Sequence, residues 1–254
     1  MAAPTQWQFH QQNRLLRALA PATLRRLLPT LEPVALRLRE VLIARHAPIR
    51  WIYFPLDAVV SVIGELADGT TLEVATIGND GLVGLPQFLQ ATTMPFTAFV
   101  QIPGAALRIE AEAFDRAVRT VGRDFPTMLA RYTQVWCNQL GWHALCNRLH
   151  PIDQRCARWL LLTQDRVGRA DFPLTQAFLA EMLGVRRSSV TEVAGRLQRA
   201  GLIQYQRGII LILDRAGLEA VSCECYRVIT QEAERVLGQG LAPRLPEGAD
   251  GRSS

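Results

Sequence analysis

The spacing of apolar positions changes character twice along the chain. Asn13–Ala20 and Pro21–Leu28 repeat apolar residues every three to four positions, which predicts two short helices. Pro21 suits a first helical position and Pro29 stops the second helix. From Val34 to Ile109 the pattern breaks into short β-branched and aromatic runs: Trp51–Phe54, Val59–Ile63, Thr71–Ile77, Phe96–Ile102 and Ala106–Ile109. Val60 and Val62, then Leu72, Val74 and Thr76, alternate on either side of Asp68-Gly69, which is a hairpin signal. Strands this short and closely spaced predict a small antiparallel roll or barrel.

The period then becomes helical again. Glu110–Val121 reads as one helix stopped by Gly122, and Asp124 is placed to cap a much longer one. In that helix Phe125, Leu129, Tyr132, Trp136, Leu140 and His143 recur at helical spacing. A helix of about 25 residues is longer than a small roll can cover, so this stripe is expected to be a dimer interface with a second copy. The alternative is that it packs only on its own roll. Pro151 ends the long helix and begins another, Pro151–Val167, closed by Gly168.

Leu174–Leu213 carries the most informative pattern. Thr175 can cap a short helix whose Ala177, Leu179 or Ala180, and Leu183 face inward. Gly184 supplies a left-handed turn, with Val185 as an apolar plug beneath it. Ser188 or Ser189 can begin the next helix, with Val190, Val193, Ala194 and Leu197 buried and Gly201 at its end. Two strands, Gln204–Gln206 and Ile209–Leu213, are joined at Arg207-Gly208. Helix, glycine turn, helix and β wing is the plan of a winged helix-turn-helix. Thr175, Gln176, Arg186, Arg187, Ser188, Ser189, Thr191 and Glu192 then fall on the face such a plan offers to double-stranded DNA, with Arg196, Arg199 and Arg207 placed for its backbone. A protein-docking module is the alternative for the same elements.

Charge sharpens this picture. All 28 basic residues are Arg and the formal net charge is +5. Residues 144–215 hold 11 Arg against 6 acids, whereas 1–143 hold 13 against 11 and 216–254 hold 4 against 6. The positive excess is therefore concentrated in the helix-turn-helix region, as counterion release on DNA requires. Apolar residues make up 49% of the chain, yet no apolar run approaches the roughly 20 residues of a membrane helix. Met1–Asn13 lacks the pattern of a signal peptide, so a cytoplasmic location is expected. The tail from about Pro243, rich in Pro, Gly, Asp and Ser, is expected to be disordered.

These readings give an α+β chain of four parts: a β-roll sensor domain at 12–123, a dimerisation helix at 124–150, a winged helix-turn-helix at 151–217, and a C-terminal helix with its tail at 218–254. Over about residues 12–240 the sequence resembles the Crp/Fnr family of bacterial regulators. The resemblance is carried by CNRLHPIDQRCARWLLL and LTQAFLAEMLGVRRSSVTEVAGRLQRAGLI, and in the roll by YFPLDAVVSVI, DGTTLEVATIGNDGLVG and AALRIEAEAF. It implies a cyclic-nucleotide-binding-like roll, a homodimer on a two-fold DNA site, a small effector and RNA polymerase as a partner. The candidate effector pocket comprises Glu73 and Thr76, polar contacts in a largely apolar roll interior, with Gly84, Leu85, Phe96 and Thr97 at the positions the resemblance implies.

Departures from the family are equally informative. The family's cyclic-nucleotide binders carry a Gly-Glu pair and an Arg-hydroxyl pair, where this chain has Gly84-Leu85 and Phe96-Thr97. A cyclic phosphate would lack its charge-assisted bonds, so cyclic AMP is not expected. No Cys precedes Cys137, which disfavours the N-terminal iron–sulfur cluster of the family's oxygen sensors. The usual Glu and Arg base readers align with Ser188 and Glu192, implying a different operator.

The five cysteines, Cys137, Cys146, Cys156, Cys223 and Cys225, form no C-x-x-C pair. Cys137, His143, Cys146 and His150 could build a redox, haem or metal sensor. Their spacings match no metal motif, so no metal or other cofactor is expected, and Cys223 and Cys225 read as an oxidation liability. The chain has no Gly-rich phosphate loop, G-x-S-x-G elbow or H-E-x-x-H motif, and a Cys146/His150 couple lacks an orienting partner. No enzyme activity is expected. A roll-domain effector binder acting on a partner protein remains as an alternative to the DNA-binding reading.

Overall fold

The structure is a computed structural model that describes residues 11–238 of the 254-residue chain. The Pro243 tail and all but the last residues of the Met1–Asn13 segment lie outside the described residues. Two short helices, α1 (Arg14–Arg17) and α2 (Pro21–Leu27), lead through a 3-10 turn into the roll. Asn13, fully buried, accepts from the Leu15 and Leu16 N–H groups and donates to the Pro55 and Gly81 carbonyls. One side chain thus caps α1 and pins it to the roll with its own polar groups satisfied.

The roll has two antiparallel sheets. β1 (Glu32–Leu36) and β3 (Trp51–Pro55) flank β7 (Gly104–Glu110). The second sheet runs in the order β2 (Val41–Ile43), β6 (Thr97–Ile102), β4 (Val59–Glu65), β5 (Thr71–Ile77). The hairpin expected around Asp68-Gly69 joins β4 to β5, with Gly69 at φ 81°. Strands β1 and β2 and the one-turn helix α3 (Leu85–Phe88) were not expected, because Glu32–Ile43 mixes exposed and buried positions with no clean alternation.

Helix α4 (Ala111–Thr120) precedes the long helix α5 (Asp124–Leu149). Asp124 is the first residue of α5 and not its N-cap. Its carboxylate instead accepts from the Ala20 N–H at 2.9 Å and from the Thr23 hydroxyl, tying α5 to the start of α2. Pro151 holds His150 in extended backbone, which ends α5 and starts α6 (Ile152–Val167). The C-terminal part contains β8 (Asp171–Pro173), α7 (Gln176–Leu183), α8 (Arg187–Arg199), β9 (Ile203–Gln206), β10 (Ile209–Ile212), α9 (Arg215–Val221) and α10 (Cys225–Leu237). The boundary drawn at 217/218 falls inside α9. No helix of the described residues is long and apolar enough to cross a membrane.

The C-terminal part does not hang free of the roll. From Arg155 to Val167 every residue of α6 is buried, and its core is continuous with Val59, Phe99 and Ile102 of the roll. Phe99 and Phe178 meet edge to face with centroids 6.1 Å apart, and Arg39 lies over both rings while pairing with Glu181 at 3.2 Å. Arg166, 2% exposed, donates from Nε to both oxygens of Asp80 at 3.1 Å and from Nη1 to the Thr76 hydroxyl. Its stem crosses Gly78, where an added Cβ would overlap the Arg166 Cβ, so glycine is needed for the close approach. Nearby, Glu73 of β5 accepts from the Trp159 indole at 2.8 Å and from the Ser61 hydroxyl at 2.7 Å.

The two acids at this seam are shifted in opposite directions. Burial opposes ionisation of both. At Asp80 the guanidinium groups of Arg166 and Arg14 outweigh it and hold the carboxyl below the ordinary range. At Glu73 burial wins over the Ser61 and Trp159 hydrogen bonds and the charges of Arg166 and Arg158, pushing the carboxyl up to about 7. Between 4.5 and about 7 the folded protein keeps a proton on Glu73 that the unfolded chain has lost, so this group's contribution to stability falls as pH rises. Buried His143, held well below its ordinary value by burial and by Arg158, acts the other way at pH below its ordinary value of 6.5, where only the unfolded chain takes up the proton. Glu73→Gln separates the two effects. Its denaturant-unfolding free energy relative to wild type is expected to rise by about 3 kcal/mol between pH 4.5 and 7.5. A pH-independent difference would show that Glu73 is ionised throughout.

Candidate nucleic-acid interface and adjoining cavity

Helices α7 and α8 form the helix-turn-helix. The Thr175 hydroxyl accepts from the Phe178 N–H at 3.1 Å, capping α7. Gly184, at φ 63°, makes the left-handed turn. Phe178, Leu179, Ala180, Met182 and Leu183 are buried, and Val185 packs half-buried against the same core. Ala177, expected inside, is exposed, because Phe178 and Met182 take the inward positions. Helix α8 buries Val190, Val193, Ala194 and Leu197 as expected, but begins at Arg187 with Arg186 as its N-cap residue, ahead of Ser188. The wing is three-stranded, in the order β8-β10-β9. Arg207 (φ 51°) and Gly208 (φ 78°) make the two-residue turn at its tip. β8 escaped the sequence reading, since three residues give no periodicity.

The polar residues assigned to DNA divide into two groups. Arg186, Arg187, Ser188, Glu192, Arg199 and Arg207 are exposed, and Ser189 is half-exposed. They lie along the first turns of α8, at its end and at the wing tip. The others have intramolecular partners. Thr175 caps α7, and Thr191 donates to Gln176 at 2.8 Å, bracing α8 against α7. Arg196 binds both oxygens of Asp153 on α6, at 2.5 and 3.1 Å. Gln198, not singled out from sequence, accepts from the Tyr205 N–H at 2.8 Å and so ties α8 to the wing.

Helix α5 requires a correction. Phe125, Leu129, Tyr132 and His143 are buried against the chain's own roll, and Trp136 and Leu140 pack on the same core. The Tyr132 ring closes over Gly81, where an added Cβ would overlap its hydroxyl. This stripe is therefore unavailable to a partner. Its aromatic residues are met by the roll, whose strand β5 runs along α5 and takes Gln139 and His143 on its Thr76 and Val74 carbonyls. The opposite face carries Thr127, Ala130, Gln134, Cys137, Gly141, Ala144 and Arg148, all exposed and spaced alternately by three and four.

Between α5 and the roll lies a cavity of about 550 Å³ lined almost wholly by apolar side chains, among them Val62, Leu82, Met94, Phe96, Trp136 and Leu140. Of the expected effector-pocket residues, Glu73, Gly84, Leu85 and Phe96 line it. Thr76 and Thr97 do not; Thr76 is taken up by Arg166. His143 also lines the cavity. Its Nδ1 lies 3.1 Å from the Val74 carbonyl and must donate there, which leaves Nε2 as a bare acceptor, buried and without a partner. Sequence patterning placed His143 in a helix seam and gave no sign that its ring borders a cavity with one nitrogen unpartnered.

The thiol and imidazole groups regroup as well. Cys137 is exposed on the outer face of α5 and His143 faces the cavity, so neither joins Cys146 and His150. Those two meet Cys223 and Cys225 from the α9–α10 junction instead. The sequence signal was the four-residue step from Cys146 to His150 together with Cys223-x-Cys225.

Residues 154–221 match the family model of the Crp-like helix-turn-helix domain. Similar solved structures span most of the chain. FixK2 from Bradyrhizobium japonicum is 16% identical with a TM-score of 0.64, over 76% of this chain and 98% of that one. A CRP-family transcriptional regulator from Thermus thermophilus is 20% identical with a TM-score of 0.62, over 75% and 96%. The c-di-GMP-responsive global regulator CLP from Xanthomonas campestris is 16% identical with a TM-score of 0.56, over 76% and 99%. No curated protein sequence matches the chain. The α+β architecture expected from the sequence is thus that of these proteins: residues 154–221 are a Crp-like helix-turn-helix domain, carried on a chain with the fold of Crp/Fnr transcriptional regulators.

Proposed function

We propose that the protein is a cytoplasmic, homodimeric transcription regulator that reads a two-fold DNA site and answers to a small apolar effector. The observation that carries the DNA reading is the exposed start of α8, where Arg186, Arg187, Ser188 and Glu192 project from a helix whose opposite face is fully packed. Arg187, Ser188 and Glu192 are the base readers, Glu192 accepting from a cytosine amino group. Arg199 and Arg207 contact phosphate. Thr175, Gln176, Thr191 and Arg196 hold the unit rigid through their internal bonds, and reach DNA at most through phosphate. RNA polymerase is the partner such a regulator would meet on its promoter. No residue is assigned a catalytic role.

The second copy binds along the outer face of α5. Its three-four spacing is that of a coiled-coil seam, small residues at Ala130, Cys137, Gly141 and Ala144 allow close approach, and Leu145 and Leu149 beside it are 48% and 67% exposed. Cys137 and Ala144 also line the cavity, so a partner helix would help to close it. In the cavity, an apolar molecule bearing one hydrogen-bond donor would satisfy His143 Nε2. Without an Arg on its walls the cavity offers a cyclic phosphate no counter-charge, which supports the expectation against cyclic AMP.

Three measurements test these parts separately. In a mobility shift on genomic fragments, Arg207→Ala is expected to weaken binding on all sequences and lower the salt slope by about 0.9, while Glu192→Ala relaxes one base pair by about 1–3 kcal/mol. Specific binding unchanged in the Arg187→Ala, Arg207→Ala double variant would sink the groove assignment. Mild oxidation is expected to link two chains through Cys137, giving a dimer on a non-reducing gel that Cys137→Ser abolishes; a monomer in solution refutes the seam. For the cavity, 1-naphthol is expected to bind roughly tenfold tighter than naphthalene, with the difference lost in His143→Phe. Equal affinities in the wild type would remove the donor requirement.

A further inference from the structure

The carboxyl end of α5 and the α9–α10 junction bring four soft ligand groups to one point. Cys146 and His150 sit one helical turn apart, and Cys223 and Cys225 approach them from a segment more than seventy residues later. Sγ of Cys146 lies 3.5 Å from Sγ of Cys223, and Sγ of Cys225 lies 3.5 Å from Nδ1 of His150. All four ligand atoms fall within 4.8 Å of one another. We propose that Cys146, His150, Cys223 and Cys225 form a Cys3His site for a single zinc ion.

Each feature of the cluster argues for a mononuclear tetrahedral ion. With Zn–S near 2.3 Å and Zn–N near 2.0 Å, the edges of such a tetrahedron are roughly 3.5–3.8 Å, close to the two separations seen here. A two-iron cluster holds its ligands in pairs on separate irons and needs a wider span than this group has. The second imidazole nitrogen is already engaged: His150 Nε2 lies 3.2 Å from Glu224 Oε2. That carboxylate fixes the tautomer with Nδ1 turned inward as a ligand, the outer-shell arrangement that metal-bound histidines use. Four protein ligands leave no open position, so the ion is structural and not catalytic.

The surroundings supply a second, independent argument. Arg155 and Arg158 are 9% and 4% exposed, and neither forms an ion pair among the described residues. Both have an Nε without a hydrogen-bond partner. A buried guanidinium without a counter-anion is costly. Arg158 is close enough to act on all three clustered thiols, and Arg155 on Cys146 and Cys223. Zinc bound by three thiolates carries a net charge of −1, which would place a counter-charge beside both guanidinium groups. On binding, the ion displaces the thiol protons to solvent and no electron moves. The remaining cysteines lie apart, Cys137 exposed on α5 and Cys156 buried.

The site joins the end of α5, the Pro151 corner and the start of α10, so it would set the angle at which α6 leaves α5. The test is elemental analysis of the full chain, purified in reductant without chelator. About one zinc per chain is expected, falling below roughly a tenth in Cys223→Ser and in His150→Ala and unchanged in Cys137→Ser. Cobalt substitution should give the intense absorption of a tetrahedral thiolate site. Should the cluster variants fail to fold, X-ray absorption of the wild type decides, with three sulfurs and one nitrogen expected. The proposal is overturned if the wild type retains no zinc even after incubation with zinc chloride, if Cys137→Ser loses it equally, if the bound metal has only nitrogen and oxygen neighbours, or if Cys146 and Cys223 are found as a disulfide in metal-free protein.

Discussion

Helix α6 is buried on every side, and the rest of the molecule is arranged around that constraint. A helix in such a position cannot leave its polar side chains to water, so they need partners on other elements, and most have them. Trp159 finds Glu73 and Arg166 finds Asp80 and Thr76, all on the roll. Arg155 donates to the Leu183 carbonyl at the turn of the helix-turn-helix. Asp165 takes the Tyr226 hydroxyl at 2.9 Å and pairs with Arg215 at 2.8 Å, both from the C-terminal helices. The polar groups of one helix therefore bind together three parts that are far apart in sequence. Apolar burial supplies most of the stabilisation, but it is non-directional, and these bonds fix which face of α6 meets which neighbour.

That role was not visible in the sequence, although the elements were. The strands β3 to β7, helices α4 to α6 and the helix-turn-helix all follow from local periodicity, glycine turns and proline stops, which are properties of neighbouring residues. Ile152–Val167 was legible as a helix for the same reason, yet nothing in its spacing showed that its charged residues would be buried. Arg155, Asp165 and Arg166 are buried because of partners 28 to 90 positions away, such as Leu183 and Thr76. The α5 stripe failed by the same logic. Its spacing correctly marked a buried face, but spacing carries no information on whether the roll or a second chain covers it. Exposure of the polar residues at the start of α8 was legible, because it is dictated by the four apolar residues behind it. What the sequence concealed was which polar residues use their hydrogen bonds internally, as Arg196 does on Asp153.

The seam between roll and α6 is also where the cavity can speak to the DNA-reading part. Glu73 lines the cavity and accepts the Trp159 indole, so one carboxyl belongs both to the cavity wall and to the bond that docks α6. A ligand that drew on Glu73, or that changed its protonation, would act on that bond directly. A ligand that bound without any such difference between docked and undocked arrangements would shift nothing, however tightly it held. The Arg166–Asp80 pair makes a poor switch by comparison. Arg166 holds Asp80 below the ordinary carboxylate range, so the pair keeps its charges across the neutral region while Glu73 titrates within it.

His143 and Cys146 are three residues apart on the buried side of α5, the first facing the cavity and the second the thiol cluster. Arg158 acts on both, since its charge helps to keep His143 neutral and also falls on the clustered thiols. Loading three thiolates would therefore neutralise a cation that otherwise opposes protonation of the cavity histidine. The geometry makes the corner at Pro151 the common element of these groups, because α6 must leave α5 there in one direction to satisfy Glu73, Asp80 and Leu183 together. A change that freed the corner would cost all three bonds at once, whereas loss of any one leaves the other two in place. Cooperation of that kind gives a docked arrangement with few intermediates, the property a regulator needs if a small molecule in the roll is to change how α8 meets DNA.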